Sequence, residues 1–193
     1  FFTELCDQMQ QGQVRNGEQL VAVLDQALLV CGQAQSYQVQ IATRTDQGPS
    51  RQRNEDACYP PAGTTMTIAN PDHKAAASEV AASLVIVCDG IGGHEGGDVA
   101  SNLAIATLYQ TLAKLPAAAQ SDPQTLMDSL EQATLIANDV ISKRNDSEQR
   151  QERQRMGTTL VMSLVQSHQL YLTHVGDSRA YRITPSGCHQ VTL

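Results

Sequence analysis

Positive charge is scarce in this chain. The sequence sets 13 Lys and Arg against 20 Asp and Glu, a net charge of −7 over 193 residues, with no basic stripe. A nucleic-acid-binding surface therefore lacks its usual electrostatic footing. The densest charged stretch, 143–155, mixes both signs with Gln and reads as a solvated helix end or a loop. Long apolar runs are missing as well, and none approaches the ~20 residues of a membrane helix. The opening Phe-Phe-Thr-Glu-Leu has no basic segment, so neither a signal peptide nor membrane partners are expected. Close cysteine pairs are absent. Cys6, Cys31, Cys58, Cys88 and Cys188 are scattered, odd in number and without Cys-x-x-Cys spacing. That argues against a disulfide framework or a zinc knuckle and for a reducing, cytoplasmic compartment. The chain begins without Met and stops mid-pattern at Leu193, as a piece of a longer protein would.

What is present is enough for one core and an appendage, with 41% hydrophobic residues. Residues 1–36 read as a helical appendage, with Leu20, Leu24, Leu28 and Cys31 on one face. From Tyr37 the period becomes two, the mark of a half-buried strand. A second strand is expected near 56–59, followed by a loop to about 81 and an apolar run at 82–88. A helix from about Asp98 to Leu115 comes next. Another starts near Pro123, capped by Asp122, with Leu126, Leu130, Ala133, Ala137 and Ile141 facing inward. Strands at 158–166, 169–175 and 179–183 close the pattern. Strands, then helices, then strands favour antiparallel sheets covered by helices, an α+β fold.

Acidic residues collect at strand ends. Asp89 closes the apolar run and opens Asp89-Gly90-Ile91-Gly92-Gly93-His94. The last glycine of a dinucleotide-binding loop is lacking, and no Gly-Lys-Ser/Thr follows, which excludes a phosphate-binding loop of that kind. A carboxylate beside a bare glycine carbonyl suits a hard divalent cation. Glu55 and Asp56 stand at another strand start and Asp177 at a third. Read alone, the Arg51–Asp56 segment is an ordinary charged loop, and Asp177 a turn residue capping its own backbone. A Thr hydroxyl in Gly157-Thr158-Thr159 could bond a metal-bound water, or Thr could simply favour the strand.

Four stretches together resemble the metal-dependent serine/threonine phosphatases of the protein phosphatase 2C family, in its bacterial form. They are Arg51-x-x-Asn54-Glu55-Asp56-Ala57, Asp89-Gly90-Ile91-Gly92-Gly93-His94-x-x-Gly97, Gly157-Thr158-Thr159 and Val175-Gly176-Asp177-Ser178-Arg179-Ala180-Tyr181. They occur in the family's order over 37–193, the phosphatase-like portion, and leave 1–36 outside. The resemblance implies two antiparallel sheets packed as a sandwich flanked by helices, here incomplete at the C-terminus. It implies hydrolysis of phosphoserine and phosphothreonine on protein substrates by a hydroxide bridging two Mn²⁺ or Mg²⁺ ions, with a third ion in looser association. Asp89 would bridge the pair, the Gly90 carbonyl, Glu55 and Asp56 would complete the ligands present, and Asp177 would serve the third ion. Arg51 would grip phosphate, His94 would protonate the leaving oxygen, and Thr159 would support the site from behind. The family's further aspartates would follow Leu193, so this chain alone is expected to be poorly active. The alternative is a non-catalytic regulatory or interaction domain of the same fold.

Overall fold

A computed structural model describes residues 2–34, 38–69, 83–91, 96–166 and 168–193. The chain divides into two compact units, Phe1–Tyr37 and Gln38–Leu193. In the first, α1 (Phe2–Gln10) and α2 (Gly17–Ala34) are separated by a turn at Gly12, whose φ is +70°. Asn16 caps α2, its side-chain oxygen accepting from the Gln19 N–H at 2.9 Å. Leu5 and Val14 are buried, while Leu20, Val23 and Leu24 are half-buried. The side chains of Leu28 and Cys31 lie outside the described residues.

The second unit is α+β, with every strand pair antiparallel. Strand β1 (Gln38–Ala42) pairs with β3 (Thr65–Ala69). Among the described residues five strands form the main sheet: β2 (Asp56–Tyr59), β4 (Leu84–Ile91), β6 (Leu160–Gln166) and β7 (Gln169–Val175) in that order. The short β5 (Gly157–Thr158) pairs with the end of β4. A separate hairpin joins β8 (Tyr181–Thr184) to β9 (Gly187–Gln190).

Three expectations need correction. The polar stretch after Tyr59 is not all loop, because Thr65–Ala69 alternates well enough to pair with β1; most of the rest, 70–82, lies outside the described residues. The strand expected over 158–166 is broken at Thr159, which lets Thr158 pair with Gly90 while Leu160 pairs with Val175. The turn at 184–187 leads into a strand of its own, β9, which pairs with β8.

The core lies between one face of the main sheet and the helices α3 (Gly97–Leu112) and α5 (Pro123–Ser147). A five-residue α4 (Ala117–Ser121) connects them. Leu84, Ile86 and Cys88 point inward from β4, and Leu160, Met162 and Leu164 from β6, as period two requires. They meet Ala100, Ala104, Leu108 and Leu112 of α3 and Leu126 to Ile141 of α5. Burial pushes the Cys88 thiol up to about 12, consistent with simple packing. The same alternation turns Val87 and Asp89 toward the opposite face.

Candidate metal centre

Asp56 and Asp89 face one another as register partners of β2 and β4, so both carboxylates occupy one face of the sheet. Glu55 precedes the strand and escapes strict alternation because Asn54 bends the chain. The Asn54 side-chain oxygen accepts from the Asp56 N–H at 3.1 Å, and the Asn54 side-chain amide donates to Thr45 Oγ1 at 2.8 Å. The carbonyl of Glu55 is fixed twice, by the Gly90 N–H at 3.2 Å and by the buried Ser101 hydroxyl at 2.7 Å. The acid is thus anchored to both the end of β4 and the first turns of α3.

Two glycines make this approach possible. A methyl carbon on Gly90 would sit 2.0 Å from the Gly97 carbonyl oxygen. A methyl carbon on Gly97 would lie 2.8 Å from the Gly90 carbonyl oxygen and 2.9 Å from Glu55 Oε1. The Gly90 carbonyl and the Glu55 carboxylate therefore border the same small space. The Asp89 carbonyl is already occupied, accepting from the Thr159 N–H at 2.9 Å and the Thr158 hydroxyl at 3.0 Å. Of the two adjacent carbonyls, Gly90 borders the acids.

Around these groups a cleft of about 220 Å³ is lined by Asp46, Gln47, Arg51, Arg53, Asn54, Glu55, Asp56 and Asp89. The Asp56 carboxyl is held above its ordinary range by partial loss of solvent, then by the charge and hydrogen bonding of Asp89, then by Glu55. Carboxylates crowded in this way, with oxygen donors only, suit a hard cation such as Mn²⁺ or Mg²⁺. Among the described residues no three His, Cys, Asp or Glu side chains close into a ready-made cage. The Gly90 carbonyl adds an oxygen donor beyond those side chains, so the residues fit the ion as an open, partial site.

Other expected residues fall elsewhere. Asp177 follows Gly176, whose φ is +98°, and does not line the cleft. His94 lies outside the described residues. The buried Thr159 hydroxyl accepts from the Asp89 N–H at 3.1 Å and pairs with Ser178 Oγ at 2.6 Å. It supports the Asp89 backbone and ties it to the Asp177 turn, rather than presenting itself to a metal-bound water. Ser101 was missed by sequence reasoning, and Gly97 was quoted there without a role of its own. Gly97 closes the quoted glycine pattern, but Ser101 looks like any helix serine until the Glu55 carbonyl is placed above it.

An antiparallel sheet backed by two helices, with acids gathered at its strand ends, defines an α+β protein with a candidate site for divalent metal. The family described as Protein phosphatase 2C matches residues 66–192, and the chain belongs to that family. The serine/threonine protein phosphatase PstP of Mycobacterium tuberculosis is 31% identical over 151 residues, covering 78% of this chain and 24% of PstP. The serine/threonine phosphatase Stp of Listeria monocytogenes is 30% identical over 153 residues, covering 77% of this chain and 52% of Stp. The chain therefore spans between about a quarter and a half of these relatives. The crystal structure of the M. tuberculosis phosphatase PstP/Ppp superposes with a TM-score of 0.56 at 28% identity, over 82% of this chain and 54% of that one. A structure of the PstP catalytic domain, solved in complex with two manganese ions, gives 0.56 at 29% identity over the same shares.

Proposed function

We propose that residues 37–193 are the N-terminal portion of a metal-dependent serine/threonine protein phosphatase domain, with 1–36 as an appendage to it. The observation that carries the reading is the convergence of Glu55, Asp56, Asp89 and the Gly90 carbonyl beside Arg51. Asp89, Glu55, Asp56 and Gly90 would hold the cations, with Asp177 reserved for a further, looser ion. A pair of Mn²⁺ or Mg²⁺ ions held there would supply Lewis-acid chemistry, offsetting the charge of a phosphomonoester and activating water as the nucleophile. Arg51 binds the phosphate, where its planar fork matches two oxygens at once. His94, from the glycine-rich sequence after β4, would return a proton to the departing Ser or Thr oxygen. Thr158 and Thr159 keep the Asp89 backbone in register. Substrates would be phosphorylated proteins. Among the described residues no helix is long and apolar enough to cross a membrane, and the free cysteines fit a cytoplasmic setting.

The competing reading, a domain that keeps the fold without the chemistry, draws on the absence of a closed three-ligand group among the described residues. The two separate in one assay. The full-length protein should release phosphate from p-nitrophenyl phosphate and phosphothreonine peptides only with added Mn²⁺ or Mg²⁺. No turnover with either ion favours the interaction domain, and full turnover after exhaustive EDTA treatment removes the metal site.

A further inference from the structure

Asn145 is a polar residue where the pattern of α5 calls for an apolar one. The inward stripe runs Leu126, Leu130, Ala133, Ala137, Ile141, and the next step of four lands on Asn145, which is 3% exposed. Its side chain behaves like a peptide group. Nδ2 donates to the Met156 carbonyl at 2.8 Å, and Oδ1 accepts from the Met156 N–H at 2.9 Å. Both main-chain groups of buried Met156 are thereby satisfied by one side chain. Met156 immediately precedes β5, only two residues long, whose partner strand is β4 through Gly90–Thr158 and Ile91–Gly157. From β5 onward, the Thr158 hydroxyl and the Thr159 N–H grip the Asp89 carbonyl, and Thr159 Oγ1 takes the Asp89 N–H. A two-residue strand holds its place poorly by its own ladder. The Asn145 clamp fixes the end from which this strand enters.

We infer that Asn145 is a positioning residue that sets the placement of Asp89 and Gly90 by clamping Met156 at the start of β5. The inference rests on the proposed metal site for its consequence, but its geometry is independent of any ion. An apolar residue at 145 would leave the Met156 N–H and carbonyl buried without partners, a large local penalty. The effect should therefore concentrate along β5 and the end of β4, and fade across the rest of the sheet.

The test compares Asn145→Ala and Asn145→Asp with Leu126→Ala, a core truncation about 28 Å away along the same helix. Asn145→Asp keeps an acceptor for the Met156 N–H but sets a buried carboxylate against the Met156 carbonyl. Asn145→Ser, which keeps a neutral hydroxyl at the site, serves where the other two variants do not fold. Amide hydrogen exchange is measured without metal, and Mn²⁺ affinity by water-proton relaxation. The Asn145 variants should speed exchange at the Thr159 and Gly90 amides ~10-fold relative to the β6–β7 ladder. They should also weaken Mn²⁺ binding several-fold. Leu126→Ala should raise exchange evenly and leave Mn²⁺ affinity within twofold of wild type. Uniform acceleration in the Asn145 variants, or Mn²⁺ affinity equal to that of Leu126→Ala, would reduce Asn145 to a stability residue and overturn the inference. Localised acceleration in the Asn145 variants, together with a wild type that has no measurable Mn²⁺ affinity, would count against the metal site and leave the clamp standing.

Discussion

At Gly90 the backbone of β4 and the first turn of α3 come so close that a methyl group has no room. Its carbon would meet backbone atoms at 2.0, 2.4 and 2.7 Å, none of which can swing aside as a side chain would. Gly90→Ala should therefore cost about 3 kcal/mol or prevent folding. Denaturation within 1 kcal/mol of wild type would show that the two segments can separate cheaply. Gly97 differs, because two of its three neighbours belong to the Glu55 carboxylate. Among the acids, Asp89 faces Asp56 and lines the cleft, whereas Asp177 does neither. In the full-length protein Asp89→Asn should lower kcat far more than Asp177→Asn. Arg51→Ala should chiefly raise KM, since a guanidinium on phosphate serves ground and transition states alike. Near wild-type kinetics for Asp89→Asn would refute the assignment.

The long helix α5 shows what one element contributes and what a sequence can reveal of it. Its N-cap Asp122 accepts from the Thr125 N–H at 2.8 Å and the Thr125 hydroxyl at 2.6 Å, with Pro123 opening the helix. Those bonds hold the Asp122 carboxyl below its ordinary value. An acid with a depressed folded pKa contributes stability above its unfolded pKa and loses it as pH falls through the folded one. Asp122→Ala should thus lower Tm by ~2–4 °C near pH 7, a difference that closes once pH drops below the depressed pKa. A Tm gap persisting in full in strong acid would show that the side chain acts through something other than its charge. The cap, the proline and the buried Leu126–Ile141 stripe were all legible, because each is a local rule written within four residues. The strand-end acids were legible as a set, through their order along the chain. Neither the β1–β3 pairing nor the break at Thr159 could be read, since both depend on partners 20 to 70 positions away. Asn145 escaped although its partner is only 11 positions on. Its stripe position was visible, but the Met156 peptide that makes a polar residue fit there was not.

Over the whole molecule, crowded carboxylates set stability against function. Asp56 is pushed upward first by partial loss of solvent and then by Asp89 and Glu55, so at neutral pH the metal-free fold carries repulsion between like charges on adjacent strands. A cation removes that repulsion and, by binding the folded state alone, adds stability in proportion to the logarithm of its concentration. With a partial ligand set, affinity for Mn²⁺ should be weak, at ~1 mM. Then 10 mM Mn²⁺ adds about 1.4 kcal/mol, or ~3–6 °C in Tm. Asp89→Asn separates the two effects. Without metal the variant should melt above wild type, because one of two facing charges is gone while the side chain keeps its size. With Mn²⁺ its Tm should hardly move, because the carboxylate shared by the proposed ions has become a neutral amide. The crossing of the two melting curves as Mn²⁺ is added, and its reversal by EDTA, is the signature to seek by calorimetry. An Asp89→Asn variant less stable than wild type without metal would mean that the carboxylate is structural. One that gains as many degrees from Mn²⁺ as wild type would move the ion away from Asp89 altogether.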